Sequence, residues 1–121
     1  ELLKRGEVFV VDNLYFGKKP LSNFIGHSNF KLISEDIYNL SAYEDQLAKI
    51  DTVVHLAAVT THKDMIENKF ETFEINFQGT KNILDILPKS SVKKLIYSST
   101  GKVYGTIKSL PITEEHPTLR A

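Results

Sequence analysis

Residues 8–13 read Val8-Phe9-Val10-Val11-Asp12-Asn13, and they point to the fold class. Four consecutive apolar residues are typical of a strand that is covered on both faces, as the strands of a parallel sheet are. A carboxylate and an amide then end the apolar run. These residues therefore predict a buried parallel strand whose carboxyl end carries polar groups.

Three further segments have strand character. Residues 51–57 form a second buried apolar run, residues 94–97 form a short one, and residues 30–33 form a weaker one. Strands that alternate with helical segments predict an open α/β sheet. Ligands of such sheets bind outside the carboxyl ends of the strands. The residues delivered to those ends are Asp12, Asn13, Asp36, Ile37, Leu56, Ala57, Ala58, Ser98, Ser99 and Thr100.

Two helical segments connect these strands. Ser41 and Glu44 have the spacing of a capping box, which predicts a helix over 42–49. Apolar residues separated by three, four or seven positions predict one continuous helical stripe that ends at Pro88. Gly79 inside this helix costs about 1 kcal/mol relative to alanine, which indicates a close approach to a neighbouring segment. The stripe consists of Ile66, Phe70, Phe73, Phe77, Leu84 and Leu87.

Length and composition indicate one ordinary globular domain. The chain has 121 residues, of which 41% are hydrophobic and 25% charged. Fifteen basic residues balance fifteen acidic ones, so we expect no nucleic-acid partner. No apolar run reaches the roughly 20 residues that cross a bilayer, so we expect no membrane span. The lack of cysteine excludes thiolate metal sites and is compatible with a reducing cytoplasm, so we expect a cytoplasmic protein without a bound metal.

Five short blocks together resemble a known family. They occur in the order and approximate spacing of the NAD-dependent epimerase/dehydratase family, the extended short-chain dehydrogenases/reductases that act on nucleotide sugars and include UDP-glucose 4-epimerase. One block alone is a weak signal, whereas five ordered blocks over nearly the whole chain are specific. The blocks are Val10-Val11-Asp12-Asn13-Leu14, Asp36-Ile37, Val54-His55-Leu56-Ala57-Ala58, Asn76 to Leu84 with Gly79-Thr80 inside, and Tyr97 to Gly105 with Ser98-Ser99-Thr100 inside.

The resemblance implies a partial Rossmann-like fold, a doubly wound parallel α/β sheet whose first strand is missing. The family's glycine-rich turn is expected upstream of Glu1 and its Tyr-x-x-x-Lys motif beyond Ala121. Residues 1–121 are therefore expected to form a single NAD(P)-binding domain truncated at both ends. The missing strand would lie between the strands ending at Asp12 and Ala57. Since each buried unpaired backbone group costs about 1–3 kcal/mol, we expect the isolated chain to fold poorly and to be inactive.

The resemblance also implies NAD as the cofactor. Asp12 is expected to accept both hydroxyls of the adenosine ribose and to repel the additional phosphate of NADP. Lys18 and Lys19 lie nearby in the sequence and leave NADP open as an alternative. Asp36 and Ile37 are expected to contact adenine, the first at its amine and the second at its ring face. The other residues assigned to the cofactor site are Asn13, Leu56, Ala57, Ala58, Thr60, Asn76 and Ser98.

Several of these residues also have a purely structural interpretation. Asp12 can begin a turn at the end of a strand, and Asp36 can belong to a turn that enters a helix. Asn76 is a mediocre helix former, and the resemblance implies that it holds the backbone beside the cofactor. His55 lies inside an apolar strand without a pattern of carboxylates or cysteines around it, so we interpret it as structural.

Thr100 is the residue to which the resemblance assigns catalysis. Its hydroxyl is expected to hydrogen-bond the substrate oxygen that is oxidised, while a tyrosine outside the chain removes the proton. Hydride then passes from the sugar carbon to the nicotinamide. The expected substrate is a UDP-, dTDP- or GDP-sugar, and a homodimer is one expected assembly of the parent protein.

Two other functions stay open from the sequence. The chain can belong to a non-catalytic dinucleotide-binding module that kept the cofactor surface and lost the chemistry. It can also belong to a flavodoxin-like or receiver-type α/β domain in which Asp12 accepts a phosphoryl group. The structural interpretation of residues 98–100 is a polar loop that follows a strand.

Overall fold

The computed structural model describes residues 1–118, and all four predicted strands are present in it. The third strand ends earlier than predicted, at His55, so Leu56 and Ala57 belong to the loop that follows it. The bounds are Val8–Asp12 for β1, Phe30–Ser34 for β2, Thr52–His55 for β3 and Lys94–Tyr97 for β4.

The strands pair in parallel as two separate two-stranded sheets. Val8 of β1 lies opposite Phe30 of β2, and Thr52 of β3 lies opposite Lys94 of β4. Within the described residues, β1 and β3 therefore each keep one edge that no strand pairs. The parallel α/β class is confirmed, and the carboxyl ends of each pair point to the same side.

A short helical region follows β2. The 3₁₀ turn Leu40–Ala42 leads into α1, Glu44–Leu47, so the helix predicted over 42–49 is shorter than expected. The predicted capping box is wrong, because the Ser41 hydroxyl donates to Asn39 Oδ1 at 3.0 Å and α1 has no side-chain cap. Ser41 lies within the 3₁₀ turn and lacks the extended backbone of a helix N-cap.

The helical region between β3 and β4 is a series of segments and not one continuous helix. Asn68 has a non-helical backbone and separates the first two segments. None of the helical segments in residues 1–118 has the length and apolar character of a membrane span. The segments are α2 His62–Glu67, α3 Lys69–Phe73, a π-turn Glu74–Gly79, α4 Thr80–Ile86 and a 3₁₀ turn Leu87–Lys89.

The predicted apolar stripe does not face the core. Ile75, Gly79 and Ile83 are the buried positions of this region, four residues apart. The other apolar face points outward: Ile66, Phe70, Phe73, Phe77 and Leu84 are 48–79% exposed, whereas Leu87 packs against the core. The periodicity of apolar residues shows that a stripe exists but not which of two apolar faces is covered. The π-turn also adds a residue to one turn and rotates the positions after it.

The core is small and lies on the helical side of the strands. Its buried apolar residues in the described part of the chain are Ile37, Tyr43, Leu47, Ile75 and Ile83. The Tyr43 hydroxyl donates to the Ile37 carbonyl oxygen. Burial, together with the negative charge of Asp36, raises the pKa of Tyr43 to about 12. The phenol therefore stays protonated and keeps donating to the backbone just after β2.

Candidate functional site

A cavity of about 380 Å³ lies at the carboxyl ends of β1, β2 and β3. Its volume is within the range of pockets that bind small molecules and cofactors. The walls come from residues 11–17 and 20–21 at and after the end of β1, 35–37 after β2 and 56–61 after β3, and α3 and the π-turn contribute a fourth side. The predicted site residues that line it are Asp12, Asn13, Asp36, Ile37, Leu56, Ala57, Ala58 and Thr60.

The loop after β1 is folded by the side chains of its first two residues. Asp12 Oδ1 accepts from the Leu14 amide at 2.7 Å, and Asn13 Oδ1 accepts from the Tyr15 amide at 3.1 Å. These bonds are typical of Asp and Asn at turns and hold Leu14 at a positive φ of 58°. The turn interpretation of Asp12 is therefore confirmed. It does not exclude a ligand, because a carboxylate has about four acceptor positions and the turn uses one.

Asn13 joins the ends of β1 and β2. Its side-chain amide donates to Asp36 Oδ2 at 3.0 Å, and the other oxygen of Asp36 accepts from the Tyr38 amide at 3.4 Å. The two predicted site residues are thus in direct contact at the mouth of the cavity. This hydrogen bond fixes the Asp36 carboxylate and leaves it acceptor positions for an external N–H group.

Gly79 brings the π-turn into close contact with Ile37. A Cβ atom at Gly79 would lie 2.8 Å from both Cγ1 and Cδ1 of Ile37, closer than real Cβ contacts allow. Ile37 is itself only 6% exposed and lines the cavity. The close approach predicted at Gly79 is confirmed, and the missing side chain leaves the space that Ile37 occupies beside the cavity.

The contact predicts that Gly79→Leu destabilises the protein that carries this chain. The added side chain overlaps Ile37 and must displace it or the π-turn, so we expect a loss of about 2–3 kcal/mol in the free energy of unfolding, measured by urea titration. Gly6→Ala is the matched control, because a Cβ there meets nothing within 4 Å. A Gly79→Leu variant as stable as the control would contradict the packing described here.

The side chain of Asn76 holds the loop after β3 by two hydrogen bonds. Its side-chain Oδ1 accepts from the Val59 amide at 2.7 Å, and its Nδ2 donates to the Val59 carbonyl at 2.9 Å. Asn76 is not part of the cavity wall, but Val59 is. One amide side chain therefore satisfies both backbone groups of a residue that lines the cavity, which accounts for a poor helix former within this helical region.

Ser98 and Thr100 lie at the end of β4, in the second strand pair, and do not line the cavity in the described residues. The Ser98 amide donates to the His55 carbonyl at 3.1 Å. Thr100 precedes the 3₁₀ turn Gly101–Tyr104, and its hydroxyl oxygen accepts from the Lys102 amide at 3.3 Å. One acceptor position of this exposed hydroxyl is therefore used, and its single hydrogen is not needed for that bond.

His55 is buried and hydrogen-bonded, as the structural interpretation predicted. It is 5% exposed, its Nε2 lies 2.8 Å from the Thr80 hydroxyl, and its ring packs against Tyr97 with centroids 5.4 Å apart. Burial lowers the pKa of the imidazole, so the neutral ring is favoured.

The sequence did not identify several residues of the site. The backbone of Val59 and the α3 residues Glu71 and Thr72, which also line the cavity, follow no recognisable pattern. A signal did exist for the loop after β1, because Gly17 follows two aromatic residues and adopts a positive φ of 81°. Glycine after a strand end is typical of a tight turn.

Parallel strand pairs with helices, and a cavity at the strand ends, define a domain of the Rossmann type. Within that class, the chain belongs to the NAD dependent epimerase/dehydratase family, whose model matches residues 1–120. This membership removes the flavodoxin-like and receiver-type alternatives.

Sequence relatives of the chain are nucleotide-sugar enzymes. It is 39% identical over 106 residues to the UDP-N-acetyl-alpha-D-glucosaminuronate decarboxylase of Bacillus cytotoxicus, covering 87% of this chain and 32% of the relative. It is 35% identical over 111 residues to UDP-glucuronic acid decarboxylase 1 of Xenopus tropicalis, covering 91% and 25%. The chain thus spans about a quarter to a third of the length of these curated relatives.

Solved structures of nucleotide-sugar enzymes superpose well on this chain. The UDP-N-acetylglucosamine 4-epimerase of Methanobrevibacter ruminantium gives a TM-score of 0.82 at 28% identity, over 98% of this chain and 38% of that one. The dTDP-glucose 4,6-dehydratase of Streptomyces venezuelae, solved with NAD bound, gives 0.81 at 28% identity, over 93% and 36%. The arrangement of strands and helices is therefore shared with enzymes of different nucleotide sugars.

Proposed function

We propose that this chain is the cofactor-binding part of an NAD-dependent epimerase, dehydratase or decarboxylase of a nucleotide sugar. The observation that carries the proposal is the cavity in which Asp12, Asn13, Asp36 and Ile37 meet the small residues of the loop after β3. NAD, when bound, supplies reversible hydride acceptance from a sugar carbon. The substrate class is a UDP-, dTDP- or GDP-sugar.

The residues present fit the adenosine end of NAD. Asp12 keeps acceptor positions for ribose hydroxyls, and Asp36 is held by Asn13 with acceptor positions for an amine. Ile37 offers an apolar surface, for which the absence of a side chain at Gly79 leaves the space. Ala57 and Ala58 are small enough for a ligand to approach the backbone closely, which an elongated dinucleotide requires.

Thr100 has the role of orienting the substrate. Its oxygen accepts from the Lys102 amide, so its O–H hydrogen is available to a substrate oxygen. In this proposal a tyrosine from the rest of the protein removes the proton, and Thr100 holds the reacting oxygen in place.

The proposal is tested by calorimetric titration of the protein that carries this chain with NAD and NADP. We expect saturable binding of NAD and weaker binding of NADP, because the Asp12 carboxylate repels a 2′-phosphate. Absence of saturable binding of either dinucleotide would overturn the proposal. Binding without turnover of any UDP-, dTDP- or GDP-sugar would favour the non-catalytic module.

The isolated 121-residue chain is expected to unfold without a cooperative transition and to turn over no nucleotide sugar. Its buried apolar core is small, and β1 and β3 each have an unpaired edge within residues 1–118. Each unpaired backbone group costs about 1–3 kcal/mol when it is buried. Thermal melting followed by circular dichroism measures this, and a sharp two-state transition with turnover of a UDP-sugar would contradict it.

A cytoplasmic homodimer of the complete protein belongs to the same proposal. The exposed apolar stripe is the candidate contact, because its Phe73 and Phe77 stack with ring centroids 5.0 Å apart on the outer face. Like faces of one helix can meet across a two-fold axis. Replacing both phenylalanines with serine is expected to halve the mass measured by light scattering. A dimer that survives the double substitution would place the contact elsewhere.

A further inference from the structure

The π-turn Glu74–Gly79 is held to β3 by a continuous series of hydrogen bonds. His55 Nε2 lies 2.8 Å from Thr80 Oγ1, and Thr80 Oγ1 donates to the Asn76 carbonyl at 2.8 Å. Because the single hydroxyl hydrogen of Thr80 is used by Asn76, its oxygen accepts from His55, which fixes the imidazole as a donor at Nε2. The lowered pKa of His55 agrees with a neutral ring in this tautomer.

The series continues to the cavity through the side chain of Asn76. That side chain bonds both backbone groups of Val59, at 2.7 and 2.9 Å, and Val59 lines the cavity. A π-turn widens the helix locally and changes the direction of the side chains on it. The direction of the Asn76 amide therefore depends on how the π-turn is held, and Thr80, the first residue of α4, links the Asn76 carbonyl to His55 of β3.

We propose that His55 and Thr80 are positioning residues for the cofactor cavity. Neither residue lines the cofactor cavity, so they are proposed to act on it through other residues. They fix the backbone of Asn76, Asn76 fixes Val59, and Val59 sets the place of the loop 56–61 that forms one cavity wall. This inference rests on the proposed function for its ligand, NAD, but the movement of Val59 that it predicts is independent of any ligand.

The substitution that tests the proposal is Thr80→Val, which keeps the shape of the side chain and removes its hydroxyl. It leaves the His55 N–H and the Asn76 carbonyl without this partner. In the full protein we expect the hydrogen exchange of the Val59 amide to accelerate about tenfold and the Kd for NAD to rise about tenfold. Each change corresponds to the loss of one hydrogen bond. Thr80→Ser, which retains the hydroxyl, is expected to restore both values to within about twofold.

Ile83→Val is the control for a general loss of stability. Ile83 is a core residue one turn beyond Gly79, and its truncation weakens the fold without touching the hydrogen-bond series. We expect Ile83→Val to lower the urea midpoint while the Kd for NAD and the relative exchange of the Val59 amide stay unchanged.

The outcomes separate the two proposals. If Thr80→Val leaves the Val59 amide and the Kd for NAD as they are in the parent protein, the positioning role is overturned while the proposed function stands. If the parent protein binds no NAD, the proposed function falls, whereas faster exchange of the Val59 amide in Thr80→Val would still support the positioning of Val59. If Ile83→Val changes the Kd as much as Thr80→Val does, the effect is one of stability and the positioning role is wrong.

Discussion

Thr100→Val is expected to lower kcat by about 100- to 1,000-fold in the protein that carries this chain, a loss typical of removing one hydroxyl that orients a reacting oxygen. The hydroxyl is exposed at the end of β4, and its oxygen accepts from the Lys102 amide. Its hydrogen is not used in that bond, so the hydroxyl can donate to a substrate oxygen. Valine has the same shape and cannot donate.

Three measurements accompany this substitution. Thr100→Ser keeps the donor and is expected to retain activity within a few-fold. Thr52→Val removes an exposed threonine hydroxyl at the start of β3, bonded to Asp51, and is expected to leave kcat unchanged. The Kd for NAD of Thr100→Val is expected to match that of the parent protein, because Thr100 does not line the cavity. Full activity of Thr100→Val would remove Thr100 from the catalytic role.

Asp12→Ala is expected to weaken NAD binding about 100-fold, which corresponds to the loss of charge-assisted hydrogen bonds to two ribose hydroxyls. The same change removes the negative charge that disfavours a 2′-phosphate, so the preference for NAD over NADP is expected to fall. Calorimetric titration with both dinucleotides measures the two effects together.

Asp12→Ala removes the hydrogen bond to the Leu14 amide as well as the negative charge. Asp12→Asn separates these two effects. Asparagine retains an oxygen for the turn and loses the charge. It is expected to keep the stability of the parent while losing affinity for NAD. Asp85→Ala removes a carboxylate that pairs with Lys81 on the surface of α4 and is expected to change neither quantity. Equal affinities for Asp12→Ala and Asp85→Ala would show that Asp12 does not bind the ribose.

The strands and their polar ends could be predicted because both depend on local composition. An apolar run such as Val8 to Val11 is typical of a parallel strand whose faces are covered by helices, although these residues are only half-buried here. The grouping of Asp12, Asp36 and Ala57 then follows from the geometry of parallel strands. The contact between Asn13 and Asp36 did not follow, since the identity of neighbouring strands is a long-range property that no local pattern contains.

The helical region was harder to predict for physical reasons. Both faces of residues 66–87 carry apolar residues, so periodicity alone could not tell that Ile75 and Ile83 are buried while Phe73 and Phe77 are exposed. The π-turn carries Asn76, which bonds Val59, and is followed by Thr80, which bonds His55; these are tertiary contacts that no local pattern contains. The capping box failed because Ser41 is taken up by a 3₁₀ turn before the helix begins. Local sequence favours a cap there, and the neighbouring turn overrides it.

The cavity is bordered by β1 and β2 on one side and by the loop after β3 on the other, and these two strand pairs share no ladder within residues 1–118. A molecule seated there would contact both strand pairs, which are also joined through the core that Val11, Ile33 and Val53 pack against. Binding of such a molecule to the folded domain raises the free energy of unfolding. The increase grows with the logarithm of the ligand concentration above Kd. If NAD binds in this cavity, as proposed, its occupancy is therefore expected to raise the stability of the folded domain as well as to supply the cofactor.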